Sequence, residues 1–464
     1  MTTPFFSPPE PDKNLKTVAI LFSGGPAPAA NAVITGAAGS FSRFGIKVLG
    51  ILNGYTHLME YKPGQDLQKG THYMELDHVG VEGHRSYPGI IIGTARANPG
   101  KGIKTPEDLD DKEKTAPLQT VYDALSSLGV DALISIGGDD TLTTAAKFQL
   151  YQEKLPTGKK RIRVIHLPKT IDNDYHGIDF TFGYFTAVDM MAHQIRNLTA
   201  DAKANNAYFF VQAMGRKAGW LAYGAAIAGE ASLVISLEDL PKDWWSTEDA
   251  IDPKTGQKIV KDGKPLQREV FDVYKVADWV LSVMLAREKH GKQFGVVVVA
   301  EGMAEFLPVE ELKKCITDDE FRTLEPDPHG HYPVSQVPFS RRLGAIVAEK
   351  YAALPKEKRL VSKRKIVGLV SGYEVRCNPP TAFDVMLGSQ LGVGAYRALA
   401  EEKLDGVMVS LHGQLALSYV PFIDREKPEA SLINPKTLRA QVRLIKTGED
   451  FHLLARYLET RLEG

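Results

Sequence analysis

Short β-branched and apolar runs alternate with stretches of helical apolar spacing along most of the chain. The strand-like runs lie at 18–22, 47–52, 132–136, 162–167, 208–213, 232–236, 294–300, 365–371 and 406–410. The helix-like stretches lie near 30–43, 141–153, 184–200, 217–229, 272–289 and 383–402. This alternation predicts an α/β fold in which largely parallel sheets carry helices on both faces.

Several segments interrupt the alternation. Residues 1–16 are rich in proline and predict an N-terminal arm, and 97–117 predict an exposed loop. Residues 241–268 contain two adjacent tryptophans and turn signals, which predict a hairpin insertion that packs on a neighbouring subunit. Residues 304–362 predict a longer insertion with a helix near 335–354.

Composition narrows the class of protein. A chain of 464 residues is too long for one hydrophobic core, so we expect two or three domains. The balance of 56 basic against 57 acidic residues disfavours nucleic acid as a partner. Cys315 and Cys377 are the only cysteines, which disfavours a disulfide framework or zinc site. No segment approaches the roughly 18 consecutive apolar residues of a membrane span, and we expect a cytoplasmic protein.

Acidic loops follow two neighbouring strand-like runs. Gly137-Gly138-Asp139-Asp140-Thr141 follows the first, and Pro168-Lys169-Thr170-Ile171-Asp172-Asn173-Asp174 follows the second. Ligands of open α/β sheets bind at the carboxyl ends of strands. Four carboxylates and one ammonium there suit magnesium-assisted phosphoryl transfer to a hydroxyl, with an aspartate taking the proton. Asp172 and Asp174 would point the same way in extended backbone.

Simpler interpretations of these loops remain open at this point. Asp139 or Asp140 could merely cap the helix predicted to begin near Thr141. The Asp-Asn-Asp run at 172–174 could be an ordinary turn.

Other strand ends carry groups that suit phosphate and an anionic sugar. Gly24-Gly25 lets backbone amides approach a phosphate ahead of a helix N-terminus. Met214-Gly215-Arg216 follows a strand and opens the helix predicted near 217–229, which offers a cation and helix-terminal amides. Glu301-Gly302 offers a carboxylate to sugar hydroxyls, and the segment 372–376 ends in an arginine that can grip phosphate.

In the order and spacing of these motifs the chain resembles the phosphofructokinase family, from about Thr17 to the C-terminal region. The resemblance implies two Rossmann-like domains with the active site in the interdomain cleft. It implies a pyrophosphate- and Mg²⁺-binding domain at 17–183 plus about 376–430, and a fructose 6-phosphate domain at 184–375 plus about 431–464. The second domain would carry the insertions 241–268 and 304–362. The reaction implied is phosphoryl transfer to the 1-hydroxyl of fructose 6-phosphate.

The resemblance also implies residue roles. Asp172 would be the proton acceptor, with Lys169, Asp140 and Arg216 as the other catalytic residues, and Asp139 would bind Mg²⁺. The donor would be held by Gly24, Gly25, Arg96, Asp140 and Lys169. The sugar phosphate would be held by Thr170, Ile171, Asp172, Asp174, Met214, Gly215, Arg216, Glu301, Tyr373 and Arg376.

Two positions bear on the phosphoryl donor. ATP-using relatives typically have glycine where this chain has Asp140 and Lys169, whereas pyrophosphate-using relatives look like this chain there and at Pro26. A carboxylate about 4 Å from a nucleotide phosphate repels it by about 4 kcal/mol at an effective dielectric near 20. That is about a thousandfold in affinity. We therefore expect reversible transfer from pyrophosphate in glycolysis or gluconeogenesis.

Three rival interpretations remain. The chain could be an ATP-dependent enzyme of the same fold. It could act on sedoheptulose 7-phosphate, whose phosphate would be gripped in the same way. It could also be a non-catalytic subunit, although the presence of Asp172 and Asp139 disfavours this.

The chain departs from the family pattern at a few positions. Ala29 stands where the first loop usually has glycine, and Ala207, with Lys203 nearby, falls where many members have a cross-subunit arginine. Arg364 or Lys365 could replace another substrate arginine. The first helix lacks the effector-site arginines of allosteric members, so we expect a non-allosteric enzyme. The resemblance further implies a homodimer or larger homo-oligomer.

Overall fold

The computed structural model of the protein describes residues 9–261, 263–327, 330–333 and 337–459. The chain divides into two compact units: unit 1 holds residues up to Thr186 and 376–442, and unit 2 holds 187–375 and residues from Arg443 onward. Residues 1–8 of the predicted arm, 335–336 of the predicted helix and 460–464 of the predicted second domain lie outside the described residues.

Both kinds of element occur throughout the described ranges. The strands are β1 (Thr17–Ser23), β2 (Lys47–Ile51), β3 (Tyr73–Glu75), β4 (Ala132–Gly137), β5 (Arg163–Pro168), β6 (Ala207–Ala213), β7 (Leu233–Ile235), β8 (Trp245–Asp249), β9 (Val260–Lys261), β10 (Lys264–Pro265), β11 (Gln267–Phe271), β12 (Gly295–Ala300), β13 (Lys365–Ser371), β14 (Val407–His412) and β15 (Ala416–Pro421). The α-helices are α1 (Ala30–Arg43), α2 (Thr56–Met59), α3 (Lys112–Ser127), α4 (Asp139–Glu153), α5 (Tyr184–Asn205), α6 (Trp220–Gly229), α7 (Val273–Lys289), α8 (Val309–Leu312), α9 (Asp318–Thr323), α10 (Phe339–Ala353), α11 (Ala382–Tyr396) and α12 (Asp450–Leu458).

Unit 1 is built on a sheet with the strand order β15-β14-β5-β4-β1-β2-β3. The five inner strands are parallel, and β15 and β3 add antiparallel edges. In the register of β1, β4 and β5, Ser23 pairs with Gly137 and Gly137 pairs with Pro168. The loops that follow these three strands therefore begin side by side at the carboxyl edge of the sheet.

Unit 2 contains a parallel sheet with the order β13-β6-β12-β7. Ala213, the last residue of β6, pairs with Ala300 of β12 on one side and with Ser371 of β13 on the other. The segments beginning at Met214, Glu301 and Gly372 therefore also start together at one edge. The prediction of an α/β fold with largely parallel sheets is confirmed in both units.

The insertion at 241–268 forms two antiparallel strand pairs, β8 with β11 and β9 with β10. Its tryptophans pack on the hydrophobic core of their own unit: the ring of Trp245 lies edge-on to Phe271 and Phe306. These side chains therefore contribute to the core of the unit that carries them, and the contact with a neighbouring subunit stays a prediction.

The domain boundaries and one predicted loop differ from the sequence prediction. Residues 184–186 and 431–442, which the sequence assigned to the second domain, belong to unit 1. The stretch 97–117 is not one exposed loop, because α3 begins at Lys112 and the buried ammonium of Lys147 donates to the carbonyls of Gly100 and Ile103 at 3.1 and 2.5 Å. Among the described residues, no helix combines the length and apolar character needed to cross a bilayer.

Candidate active site

The loop after β1 is held by the segment that carries Arg96. The amide of Gly24 donates to the carbonyl of Ala95 at 2.9 Å, and the hydroxyl of Thr94 donates to the carbonyl of Gly24 at 2.6 Å. Gly24 has a φ of +90°, a conformation that a side chain would strain. Arg96, the next residue after this contact, is exposed.

Lys169 lies between two glycine turns. Its ammonium is 3.6 Å from the position of a Cβ on Gly24 and 3.9 Å from that of a Cβ on Gly138. The side chain is only 8% exposed, and burial lowers the pKa of Lys169 to about 8 although Asp172 opposes the shift. Asp139 and Asp174 also favour the charged form, whereas Arg376 disfavours it. The predicted cluster of one ammonium and several carboxylates therefore exists within unit 1.

Asp139 and Asp140 occupy the first turn of α4. The helix begins at Asp139, two residues earlier than predicted, and Gly138 is its N-cap without a side-chain cap hydrogen bond. The alternative that either aspartate caps this helix is therefore wrong. Asp139 is half-buried and Asp140 is exposed, and the positive end of the helix dipole favours negative charge at this position.

The Asp-Asn-Asp segment is an irregular loop whose conformation is held by Thr181. Asn173 has a left-handed backbone with φ of 53°, and its side-chain oxygen accepts from the amide of Thr181 at 3.0 Å. The hydroxyl of Thr181 donates to the carbonyl of Thr170 at 2.7 Å. The expectation of extended backbone here was wrong, yet Asp172 and Asp174 both act electrostatically on Lys169.

Thr181 was missed by sequence reasoning. It lies eight residues beyond Asn173, and nothing in the local pattern marks it as the group that holds the turn. The side chain of Ile171 is buried, so of this residue only the backbone can reach a ligand in this conformation.

Arg376 contacts the glycine loop that follows β1 in unit 1. Its Nη1 atom lies 3.3 Å from the position of a Cβ on Gly25, so only a glycine leaves room for it without displacement. The chain passes from unit 2 to unit 1 at this residue. Arg376 therefore groups in space with Lys169, and Tyr373 belongs to the other unit.

In unit 2 the three strand-end segments contact one another through backbone and carboxylate. The amide of Gly215 donates to Oε2 of Glu301 at 3.2 Å, and the amide of Gly302 donates to the carbonyl of Gly215 at 3.2 Å. The amide of Met214 donates to the carbonyl of Ser371 at 3.1 Å. The structure thus brings together Met214, Gly215, Arg216, Glu301 and Tyr373, which the sequence assigned to the sugar phosphate.

Arg216 does not open a helix as predicted. Helix α6 begins at Trp220, and the amide of Gly219, its N-cap, already donates to Oε1 of Glu238 at 3.0 Å. Arg216 and Tyr373 are both exposed. Arg216 therefore lies outside the first turn of α6, and the expected pairing of its cation with helix-terminal amides is wrong.

Comparison with known proteins places this geometry in a family. The family model described as Phosphofructokinase matches residues 17–259. A protein of Thermotoga maritima named pyrophosphate--fructose 6-phosphate 1-phosphotransferase is 32% identical over 96% of this chain and 90% of its own length. The chain belongs to the phosphofructokinase family.

Other members of the family differ in name and length. An ATP-dependent 6-phosphofructokinase of Chloroflexus aurantiacus is 28% identical over 90% of this chain and 94% of its own. The crystal structure of a pyrophosphate-dependent phosphofructokinase from Nitrosospira multiformis shares the fold with a TM-score of 0.59, 16% identity, and coverage of 97% of this chain and 92% of that one. The Pichia pastoris phosphofructokinase structure matches with a TM-score of 0.58 and 24% identity over 90% of this chain, which spans only 36% of that chain.

Phosphofructokinases generally use Mg²⁺, and the residues present fit this ion. No group of three or more His, Cys, Asp or Glu side chains in the described ranges could form a metal cage. Mg²⁺ is usually bound by one or two carboxylates together with substrate phosphates and water. Asp139, half-buried in the first turn of α4 and electrostatically coupled to Lys169, offers such a carboxylate.

The structure shows the surroundings of two positions at which the chain departs from the family pattern. Arg364 is 2% exposed and paired with the buried Glu288, and it stands at the amino end of β13, so it is not available to a substrate at the carboxyl edge. Lys365 is likewise the first residue of that strand. The expectation that either residue replaces a substrate arginine is wrong. The other position is Ala29, which has a left-handed backbone with φ of 65°, a conformation that favours the glycine usual in the family.

Proposed function

We propose that the protein is a reversible, Mg²⁺-dependent pyrophosphate:fructose 6-phosphate 1-phosphotransferase. The observation that carries the proposal is the placement of the Lys169 ammonium, 3.6 and 3.9 Å from the Cβ positions of Gly24 and Gly138. A cation fixed between two glycine turns stabilises the negative charge of a small inorganic donor, which has no positive group of its own.

The donor groups are those of unit 1. The backbone of Gly24 and Gly25 approaches one phosphate, with Arg96, Lys169 and Arg376 as the surrounding cations. Asp139 would hold Mg²⁺, which neutralises the charge of the phosphates when it is bound. These residues bind and orient the group to be transferred.

The sugar phosphate groups are mainly those of unit 2. Arg216 is the cation for the 6-phosphate, Glu301 accepts from sugar hydroxyls, and Met214, Gly215 and Tyr373 shape the site. The resemblance also assigns Thr170, Ile171 and Asp174, which lie in unit 1, to the sugar phosphate. This division differs in one residue from the roles that the family resemblance implied: Arg376, which the resemblance assigned to the sugar phosphate, contacts the Gly25 loop and is assigned here to the donor.

Asp172 accepts the proton of the 1-hydroxyl as its oxygen attacks the phosphorus. The bond from phosphorus to the bridging oxygen of pyrophosphate breaks, and inorganic phosphate leaves. Lys169 stabilises the negative charge on the transferred group, since an ammonium in a buried site acts more strongly than in water. In the reverse direction Asp172 returns the proton to the sugar oxygen.

Asp140 favours pyrophosphate over ATP. It is an exposed carboxylate in the first turn of α4, next to the residue that would hold Mg²⁺. At this place its charge repels the additional phosphate of a nucleotide, which lowers the affinity for ATP about a thousandfold. Relatives named for pyrophosphate and for ATP match at 32% and 28% identity, so the donor has to be measured.

The test is a coupled assay of the purified protein with fructose 6-phosphate and Mg²⁺, supplied in turn with pyrophosphate and ATP. We expect turnover with pyrophosphate and little with ATP. Turnover with ATP alone would overturn the donor assignment, and no turnover with either would favour the non-catalytic alternative. Replacing the acceptor by sedoheptulose 7-phosphate measures which sugar phosphate gives the higher kcat/KM.

The cytoplasmic location and the homodimer or larger assembly expected from the sequence stay predictions. Light scattering of the purified protein measures the second of these.

A further inference from the structure

A buried tyrosine joins two of the loops in unit 1. Tyr175 directly follows Asp174 and is 3% exposed. Its hydroxyl donates to the carbonyl oxygen of Gly137 at 2.8 Å, and the same hydroxyl lies 3.0 Å from Nε2 of His166, which is completely buried in β5. The end of the Asp-Asn-Asp segment is thereby attached to the turn that leads into Asp139.

The direction of each hydrogen bond follows from the chemistry of the three groups. The carbonyl of Gly137 can only accept, so the single proton of the Tyr175 hydroxyl goes to it. Nε2 of His166 must then carry a proton and donate to the tyrosine oxygen. Burial lowers the pKa of His166 to about 3 and raises the pKa of Tyr175, so both groups keep these neutral donor states at physiological pH.

The same carbonyl also accepts from the backbone of Lys169. The amide of Lys169 lies 2.9 Å from the oxygen of Gly137. The segment 169–175 is therefore attached to one carbonyl at both of its ends. The carboxylate of Asp172 stands between the two attachments, so its position relative to the first turn of α4 depends on them.

We infer that Tyr175, oriented by His166, is a positioning residue for phosphoryl transfer, and this inference rests on the function proposed above. Neither side chain reaches a substrate, because both are buried beneath the loops. Each acts by fixing the segment that carries Lys169, Asp172 and Asp174 against the turn that carries Asp139 and Asp140. A buried hydroxyl and a buried imidazole N–H are costly unless they are hydrogen-bonded, and here the Nε2–H of His166 donates to the hydroxyl of Tyr175.

The test is Tyr175→Phe, which removes only the hydroxyl. Its matched control is Tyr122→Phe: Tyr122 is 4% exposed, also lies in unit 1, and donates to the carbonyl of Lys160 at 2.7 Å. We expect Tyr175→Phe to lower kcat about tenfold with both KM values within about twofold of wild type, since small displacements of reacting groups are costly. Tyr122→Phe should lower Tm to a similar extent and leave kcat unchanged.

A double-substitution cycle separates positioning from general destabilisation. In an Asp172→Asn background, where the proton acceptor is already lost, adding Tyr175→Phe should lower kcat by less than about threefold. His166→Leu, which removes the donor to Tyr175 without removing the bond to Gly137, should lower kcat by about threefold in the wild-type background. It provides the same comparison if Tyr175→Phe does not fold.

Equal kcat values for Tyr175→Phe and Tyr122→Phe would overturn the inference, as would full additivity in the cycle. All rates are measured with the donor that the wild-type enzyme uses. If that donor is ATP, the proposed function fails in its donor, whereas the comparison of the two tyrosines is unaffected.

Discussion

The ammonium of Lys169 and the backbone of Gly24 are neighbours: Nζ lies 3.6 Å from the point where a Cβ on Gly24 would stand. The reason is the sheet register, which places Ser23, Gly137 and Pro168 side by side at the ends of β1, β4 and β5. The residue after Pro168 therefore extends over the turns that follow the other two strands. A phosphate that approaches the glycine amides meets this cation.

The pH dependence of kcat/KM for pyrophosphate should report the ionisation of the Lys169 ammonium. Burial lowers the pKa of Lys169 to about 8, so the free enzyme carries this charge below that pH and loses it above. We expect kcat/KM for pyrophosphate to be sustained below pH 8 and to fall about tenfold per pH unit above it. In Lys169→Met, kcat/KM is low throughout and this alkaline decline should be missing. The same decline in both proteins would show that another group titrates.

Donor preference should respond to the charge of Asp140. Asp140→Asn keeps the shape of the side chain and removes the charge, and we expect the ratio of kcat/KM for ATP to that for pyrophosphate to rise. Asp140→Gly combined with Lys169→Gly should raise this ratio further, by up to about a thousandfold. The two single glycine variants are the controls. An unchanged ratio in Asp140→Asn would contradict the electrostatic explanation.

The two aspartates around Asn173 should differ in their roles. Loss of a general base costs about 10²- to 10⁴-fold in rate, so Asp172→Asn should lower kcat by that amount with little change in KM. Asp174→Asn, two residues away and likewise coupled to Lys169, should chiefly raise KM for fructose 6-phosphate. Steady-state kinetics of the two variants decide this, and equal losses of kcat would contradict the assignment of Asp172.

Opposite substitutions at the N-cap and in the interior of α1 should both stabilise the protein. Ala29, the N-cap, has φ of 65°, which costs an L-residue about 1–2 kcal/mol, so Ala29→Gly should gain about 0.5–1 kcal/mol after the entropy cost of glycine. Gly39 lies inside the helix with open space where its Cβ would be, so Gly39→Ala should gain about 0.5–1 kcal/mol. Thermal unfolding measures both, and a loss in Ala29→Gly would show that the turn depends on the methyl group.

The sequence was informative about the candidate site wherever a strand end carried chemistry. The alternation of apolar runs was enough to predict the parallel sheets. Because the carboxyl ends of parallel strands meet at one edge of a sheet, Asp139, Lys169 and Asp172 could be expected close together. The order of the motifs then gave the family. These predictions depend on local pattern and on a topological rule, which a single sequence contains.

The remainder depends on contacts between residues far apart in sequence. Helix α6 was predicted to begin too early, because its start depends on a hydrogen bond from the amide of Gly219 to the side chain of Glu238, 19 residues away. The left-handed backbone of Asn173 is fixed by Thr181, which no local signal connects to it. The ion pair of Arg364 joins residues 76 positions apart, and that distance hid its structural role.

Arg364 should therefore matter for stability and Arg376 for binding. Arg364 and Glu288 are both nearly inaccessible, so Arg364→Met leaves an uncompensated buried carboxylate and should destabilise the protein by about 3–5 kcal/mol. KM for both substrates in the folded fraction should stay at the wild-type value. Arg376→Met should raise KM at least several-fold with little change in Tm, since Arg376 contacts the Gly25 loop and is only partly buried.

Replacing both members of the buried pair gives the control for this contrast. Arg364→Met combined with Glu288→Leu removes the two charges together, so most of the lost stability should return. Chemical unfolding of the single and double variants measures the recovered free energy of unfolding. The recovery should be incomplete, because the hydroxyl of Tyr351, which donates to Glu288 at 2.9 Å, loses this partner in the double variant. If Arg364→Met instead raised KM and left Tm unchanged, the arginine would be a substrate ligand and the correction made above would be wrong.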